Sequence, residues 1–138
     1  MLFNPAESVD FEGNTGPFIQ YTHARICSLL RRAQEQGVHY EQAKTFSGEE
    51  YSVFEKELTR LLFDFPDIIS QAADTFSPAL LANYLYELTR TYNKFYQEVP
   101  VLKAAKEAAI RRLALSSLTG RVIKTGMGLL GITVPERM

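Results

Sequence analysis

The chain has 138 residues, 46% of them hydrophobic, which bounds it to one domain with a real buried core. Its net charge is −1, and its one cysteine, Cys27, excludes an intrachain disulfide and fits a reducing, cytoplasmic setting. No apolar run approaches the roughly 18 residues that cross a bilayer, and Met1 to Pro5 shows no secretory signal pattern.

Residues 1–13 contain Pro5, Gly13 and three acids with little periodicity, and read as a linker ahead of a helical domain over 14–138. Asn14 or Thr15 can cap a first helix whose opening turn tolerates Pro17. Ile19, His23, Ile26, Leu30 and Ala33 then recur at helical spacing, and Gly37 is a plausible stop. Val38 to Phe46 reads as a loop. Ser47 and Glu50 have the three-residue spacing of a capping box, opening a helix with a Phe54, Leu58, Leu61, Leu62 stripe. Pro66 breaks or restarts that helix, leaving a short one from Asp67 to Thr75. Ser77-Pro78 opens a long aromatic helix marked by Leu81, Leu85, Leu88, Tyr92 and Phe95, and Val99-Pro100 ends it. A last helix starts near Lys103 and carries Ala109, Leu113, Leu115, Leu118 and Val122. Gly120 and Gly126 in its later part mean either close packing there or an early end, since glycine costs about 1 kcal/mol against alanine inside a helix. No strand-like alternation with hairpin turns is present. The predicted class is all-α, a bundle of about five helices.

Charge is unevenly spread. Residues 1–102 carry eight basic and fourteen acidic side chains, whereas 103–138 carry seven basic and two acidic ones. The basic end either meets a polyanion or is a solvated face paired with the acidic helices.

Catalytic and metal chemistry find little support. His23 and Cys27 are one helical turn apart, but nothing completes the three or four ligands that zinc takes, and a packed histidine beside a small thiol explains the pair. Ser116-Ser117 has no histidine nearby in sequence, and neither a nucleophile elbow nor a phosphate-binding glycine loop is present. The Gly126 to Ile132 run is too short, and too rich in glycine, for an interfacial membrane helix. Aromatics interleaved with basic residues point elsewhere. Phe18, Tyr21 and Arg25 are three and four apart and share a face of the first helix, distinct from its apolar stripe. Tyr92, Phe95 and Tyr96 cluster near Arg90 and Lys94. Such faces are either core or platforms on which unpaired RNA bases stack.

Three segments carry a family resemblance. They are Gly13-Asn14-Thr15-Gly16-Pro17-Phe18-Ile19-Gln20-Tyr21-Thr22-His23-Ala24-Arg25-Ile26; then Leu81-Ala82-Asn83-Tyr84-Leu85-Tyr86-Glu87-Leu88 with Asn93, Phe95 and Tyr96; and Arg112-Leu113-Ala114-Leu115 through Gly126-Met127-Gly128-Leu129-Leu130-Gly131-Ile132 to Pro135-Glu136-Arg137-Met138. Together they resemble the DALR-type anticodon-binding domain at the carboxy end of arginyl-tRNA synthetases, class I aminoacyl-tRNA synthetases. The resemblance implies a helical bundle that grips the anticodon stem and loop of an arginine tRNA, with no membrane or DNA partner. It implies that Tyr21, Arg25, Tyr96 and Met138 surround an anticodon base, with Phe18 standing where an aromatic, often tyrosine, is usual. Most arginine tRNAs share a middle anticodon cytosine, because arginine codons share a middle G.

The same resemblance implies that the chain is a fragment. Signatures of the His-x-Gly-His and Lys-Met-Ser-Lys kind are absent, so ATP, magnesium and amino-acid activation belong to a catalytic domain upstream, and the fragment itself holds no cofactor. Arg111, Arg112, Arg121 and Lys124 are then candidate phosphate contacts, and Arg137 is either a phosphate contact or part of an ion pair. The expected function is anticodon recognition within an arginine–tRNA ligase; the alternative is a helical protein-interaction module that binds no RNA.

Overall fold

A computed structural model describes residues 15–41 and 51–138. Among these it forms five helices: α1 (Thr15–Glu35), α2 (Val53–Phe63), α3 (Phe65–Asp74), α4 (Pro78–Glu98) and α5 (Lys106–Leu129). The described residues contain no strand. The predicted linker over 1–13 and the Ser47/Glu50 capping box lie outside the described residues.

α4 is the central element and packs against all four others. Contacts between α1 and α4 advance in the same direction along both helices: Phe18 meets Tyr86, Thr22 and Arg25 meet Asn93, and Arg32 meets Tyr96. The two therefore run parallel, side by side. α5 runs antiparallel to α4, with Gly126 against Leu85 and Ser116 against Tyr92. The core is built largely from the predicted stripes: Ile19, Ile26 and Ala33 of α1, Leu58 and Leu62 of α2, and Leu81, Leu85, Leu88, Tyr92 and Phe95 of α4. On α1, Leu29 is fully buried where the spacing predicts Leu30, and Leu30 is only partly buried. Tyr92 and Phe95 are fully buried, and burial pushes the Tyr92 phenol well above its ordinary pKa.

α5 differs from the sequence expectation at its start and in its facing. It begins at Lys106, not near Lys103, and it buries Leu113, Ser116, Thr119, Ile123 and Met127, while Leu118 is exposed. Gly120 and Gly126 do not end it. A Cβ on Gly126 would lie 2.7 Å from Leu85 Cδ2, so glycine is what allows α5 to close on α4. The helix stops at a Schellman turn, with the Ile132 N–H donating to the Met127 carbonyl at 2.9 Å and Gly131 at a φ of 79°.

One buried ion cluster ties α2 to α5. Ser52 caps α2 in a reciprocal box: its hydroxyl accepts from the Glu55 N–H, and the Glu55 carboxylate accepts from the Ser52 N–H at 2.7 Å. The same carboxylate accepts from Arg111 Nε at 2.8 Å and Arg112 Nε at 3.3 Å. Arg111 also lies over the Tyr51 ring, and Arg112 donates to the Pro100 carbonyl. Arg111 and Arg112, expected from sequence as phosphate contacts, are thus both engaged by Glu55, because burying its carboxylate requires positive partners.

Burial alone pushes the Glu55 carboxyl up, but hydrogen bonds from Arg111 and Ser52 and the Arg111 charge outweigh it and hold its pKa below the ordinary 4.5. A depressed carboxyl contributes stability above its unfolded pKa, and that contribution fades as pH falls through the folded value. Urea unfolding at neutral pH should show Glu55→Ala losing about 3–5 kcal/mol, since two arginines are left beside an empty site. Glu55→Gln should lack the part of the wild-type acid-side decline that Glu55 produces. An unchanged acid slope in Glu55→Gln would contradict the assignment.

Candidate nucleic-acid interface

The α1–α4 seam presents a cleft of about 360 Å³. The α1 residues that line it are Tyr21, Ala24, Arg25, Ser28, Arg31 and Arg32. Tyr21, Arg25, Ser28 and Arg32 follow one another at steps of four, three and four, so they form one helical face. α4 contributes Tyr96, and the segment after α5 contributes Arg137 and Met138. Its size falls within the range of roughly 300–1,000 Å³ usual for small-molecule sites.

Arg25 is at the centre. Its guanidinium carbon lies 4.9 Å from the Tyr96 ring centroid and 5.6 Å from that of Tyr21, both within the roughly 6 Å reach of a cation–π contact. Arg25 Nη1 donates to Asn93 Oδ1 at 2.7 Å. Asn93 Nδ2 donates in turn to Thr22 Oγ1 and to the Thr89 carbonyl, both at 2.9 Å. A guanidinium only donates, so the Asn93 amide must present its oxygen to Arg25, and its nitrogen then falls to the two acceptors. Asn93 is the only hydrogen-bond partner of Arg25 among the described residues. Other N–H donors of the guanidinium thus remain available in the cleft. Arg32 Nη2 donates to the Tyr96 hydroxyl at 3.3 Å, fixing the far wall.

Residues 131–138 reach the cleft by lying along α1. Gln20 Nε2 donates to the Thr133 carbonyl at 2.9 Å, His23 Nδ1 pairs with the Pro135 carbonyl at 2.8 Å, and Arg31 Nη1 donates to the Glu136 carbonyl at 3.3 Å. Because a carbonyl only accepts, His23 Nδ1 carries the proton. Val134, within this strap, is buried. His23 is therefore a packed, hydrogen-bonded side chain 3.8 Å from Cys27 Sγ. No group of three or more metal-ligating side chains assembles among the described residues.

The cleft is strongly positive. Four arginines line it and no acidic side chain does. Such a lining suits a planar, acceptor-bearing ring with phosphates nearby: tyrosines supply stacking faces, and Arg25 supplies donors between them. Of the residues predicted from sequence, Tyr21, Arg25, Tyr96 and Met138 come together here. Tyr21 is 52% and Met138 70% exposed, so neither is committed to the core. Phe18 does not line the cleft; it packs edge-on against Tyr86 at 6.2 Å, one turn away. Arg121 and Lys124 are exposed on α5 outside the cleft, with Lys124 near enough to α1 to act on the Cys27 thiol. Ser28, Arg31 and Arg32 were not singled out from sequence, although extending the Tyr21–Arg25 spacing by one and two turns reaches Ser28 and Arg32. Arg137 lines the cleft and makes no salt bridge among the described residues.

His23→Ala should leave the Pro135 carbonyl unpaired, at a cost of about 1–3 kcal/mol. Methyl resonances of Val134 and Met138 should move toward random-coil positions in that variant, while those of Leu85 and Leu113 stay in place. Unmoved Val134 and Met138 resonances would show that the strap does not depend on His23.

Comparisons with known proteins agree with this geometry. The family described as the DALR anticodon binding domain matches residues 19–138. An arginine–tRNA ligase of Phocaeicola vulgatus is 50% identical over the whole chain, which covers 23% of that relative; one of Bacteroides thetaiotaomicron is 48% identical with the same coverage. The solved structure of Thermus thermophilus arginyl-tRNA synthetase matches 94% of the chain with a TM-score of 0.77 and 34% identity, the chain covering 22% of it. A putative arginyl-tRNA synthetase from Campylobacter jejuni matches with a TM-score of 0.76 at 25% identity, over 88% of this chain and 26% of that one. The chain thus spans about a quarter of the length of these relatives, and it belongs to the DALR anticodon-binding domain family.

Proposed function

We propose that this chain reads the anticodon of an arginine tRNA as the carboxy-terminal domain of an arginine–tRNA ligase. The observation that carries the proposal is the Arg25 guanidinium held between Tyr21 and Tyr96 in a cleft lined by arginines and by no acidic side chain. A cytosine base offers flat π faces together with N3 and O2 acceptors. Stacking against the tyrosines and donors from Arg25 match both, and Met138 closes one side. The surrounding arginines, with Arg121 and Lys124 outside the cleft, suit the phosphates of the loop and stem. Base contacts then specify while phosphate contacts position, a division known from DNA readout.

The sequence identity to arginine–tRNA ligases over the full chain favours this reading over a protein-interaction module. Amino-acid activation, with its ATP and magnesium, would reside in the larger part of the ligase, and the partners are tRNA-Arg and that catalytic part. A cytoplasmic setting follows from the same reading. Among the described residues, no helix is long and apolar enough to cross a membrane.

Titration of the 138-residue chain with an arginine-type anticodon stem-loop, and with one changed only at the middle base, tests the proposal. A lost hydrogen-bond match at a buried site costs about 1–3 kcal/mol, or roughly 5- to 150-fold in affinity. Changing the middle base should weaken binding by such a factor. Arg25→Ala should weaken binding to the original loop and erase the difference between the two loops. Asn93→Ala should do so in part, because it releases Arg25 without touching RNA. Equal, salt-sensitive binding of both loops by the unaltered chain would sink the base-reading assignment.

A further inference from the structure

A second cavity lies on the other side of the wall formed by Tyr96 and Arg32. It is an open recess of about 220 Å³, and its floor is apolar: Leu29 from α1 and Val99, Pro100, Val101 and Leu102 from the α4–α5 connection. Lys103 stands at its edge. Tyr96 and Arg32 line both cavities, and the 3.3 Å bond between them is the partition.

We infer that this second cavity is a nucleotide subsite that takes the loop nucleotide next to the base held in the main cleft. The inference rests on the reading that the main cleft takes an anticodon base. Two unpaired nucleotides joined by one phosphate need two adjacent sites sharing a wall, and that is what the Tyr96–Arg32 partition separates. The chemistry of the lining decides the class of occupant. A bare anion gains nothing from a floor of leucine, valine and proline. An apolar peptide side chain gains nothing from Arg32 and Lys103 with no carboxylate among the lining residues. A nucleotide uses both, its base or ribose face on the apolar floor and its phosphate toward Arg32 and Lys103. The volume of about 220 Å³, below the roughly 300 Å³ at which small-molecule sites usually begin, suits one base or sugar.

The lining also differs from that of the main cleft in a way that assigns different tasks. The main cleft surrounds Arg25 with rings and can read a base edge. The second cavity offers few donors to an edge, so it should hold its nucleotide by its face with weak preference among bases.

The test uses stem-loops with an abasic residue at the middle anticodon position or at either neighbour, against the wild-type chain and the double variant Leu102→Gln/Lys103→Glu, with circular dichroism to establish that the variant is folded. In the wild type, removing the base at one neighbour should weaken binding about ten-fold, in line with the loss of one stacked base. In the double variant the intact loop should bind about as weakly, and removing that neighbour should cost little more, while the penalty at the middle position stays. A separate Lys103→Ala variant should lower the slope of log affinity against log salt by about 0.7, the value for one phosphate contact to a single strand. If neither neighbour matters in the wild type while the middle base does, the inference is overturned and the main-cleft reading stands. If losses from the double variant and from the neighbouring base simply multiply, the second cavity is not where that nucleotide sits. If removing the middle base has no effect, the main-cleft reading fails and takes this inference with it.

Discussion

Asn93 decides where Arg25 points, and much of the cleft depends on that. Its side-chain amide joins two parallel helices through two hydrogen bonds and makes a third to its own helix, and the guanidinium fixes the direction of all three. The oxygen must face the guanidinium, and the nitrogen must face Thr22 Oγ1 and the Thr89 carbonyl. The Thr22 hydroxyl passes the chain on by donating to the Phe18 carbonyl at 3.0 Å. No buried side-chain nitrogen or oxygen among the described residues lacks a partner. A fully satisfied network of this kind rigidifies what it holds. It holds a guanidinium in one place, between two rings.

That placement follows from how the helices divide their faces. α1 turns Ile19, Ile26, Leu29 and Ala33 into the core and presents Tyr21, Arg25, Ser28 and Arg32 to the cleft. α4 does the same with Tyr92 and Phe95 inward and Tyr96 outward. Core packing thus sets the register of the site residues directly, with no flexible loop between them. The exception is the strap after α5, which brings Arg137 and Met138 into place. Gly131 turns it off the helix, and Gln20, His23 and Arg31 hold its carbonyls. A site built on rigid elements loses less entropy when its ligand arrives.

The helical architecture was legible because its signals are local. Apolar spacing marked the inner faces of α1, α2 and α4, Gly37 marked the end of α1, and Pro66 and Ser77-Pro78 marked the joints around α3. The Tyr21–Arg25 spacing placed both on one face apart from the apolar stripe, core or platform, and the family resemblance added Tyr96 and Met138. What failed to show depends on partners far along the chain. Ser47/Glu50 and Ser52/Glu55 have the same capping spacing, and the box that opens α2 is the second, whose glutamate meets arginines 56 and 57 positions away. Charge summed by segment pointed to residues 103–138, yet Arg111 and Arg112 from that segment are consumed by Glu55. Three of the four cleft arginines come instead from α1, in the segment whose total charge is negative. Leu115 and Leu118 looked like core by composition, but the close approaches at Gly120 and Gly126 rotate α5 so that Ser116, Thr119 and Ile123 face inward.

The central claim is that one base enters between Tyr21, Arg25, Tyr96 and Met138. It is tested most directly by nuclear magnetic resonance, following the Arg25 guanidinium, the tyrosine rings and the Met138 methyl as an arginine-type anticodon stem-loop is added. The largest shifts should appear at Arg25, Tyr21, Tyr96 and Met138, with the buried Tyr92 ring nearly unmoved. Shifts confined to the Arg121 and Lys124 face of α5, with the four cleft residues silent, would contradict the account.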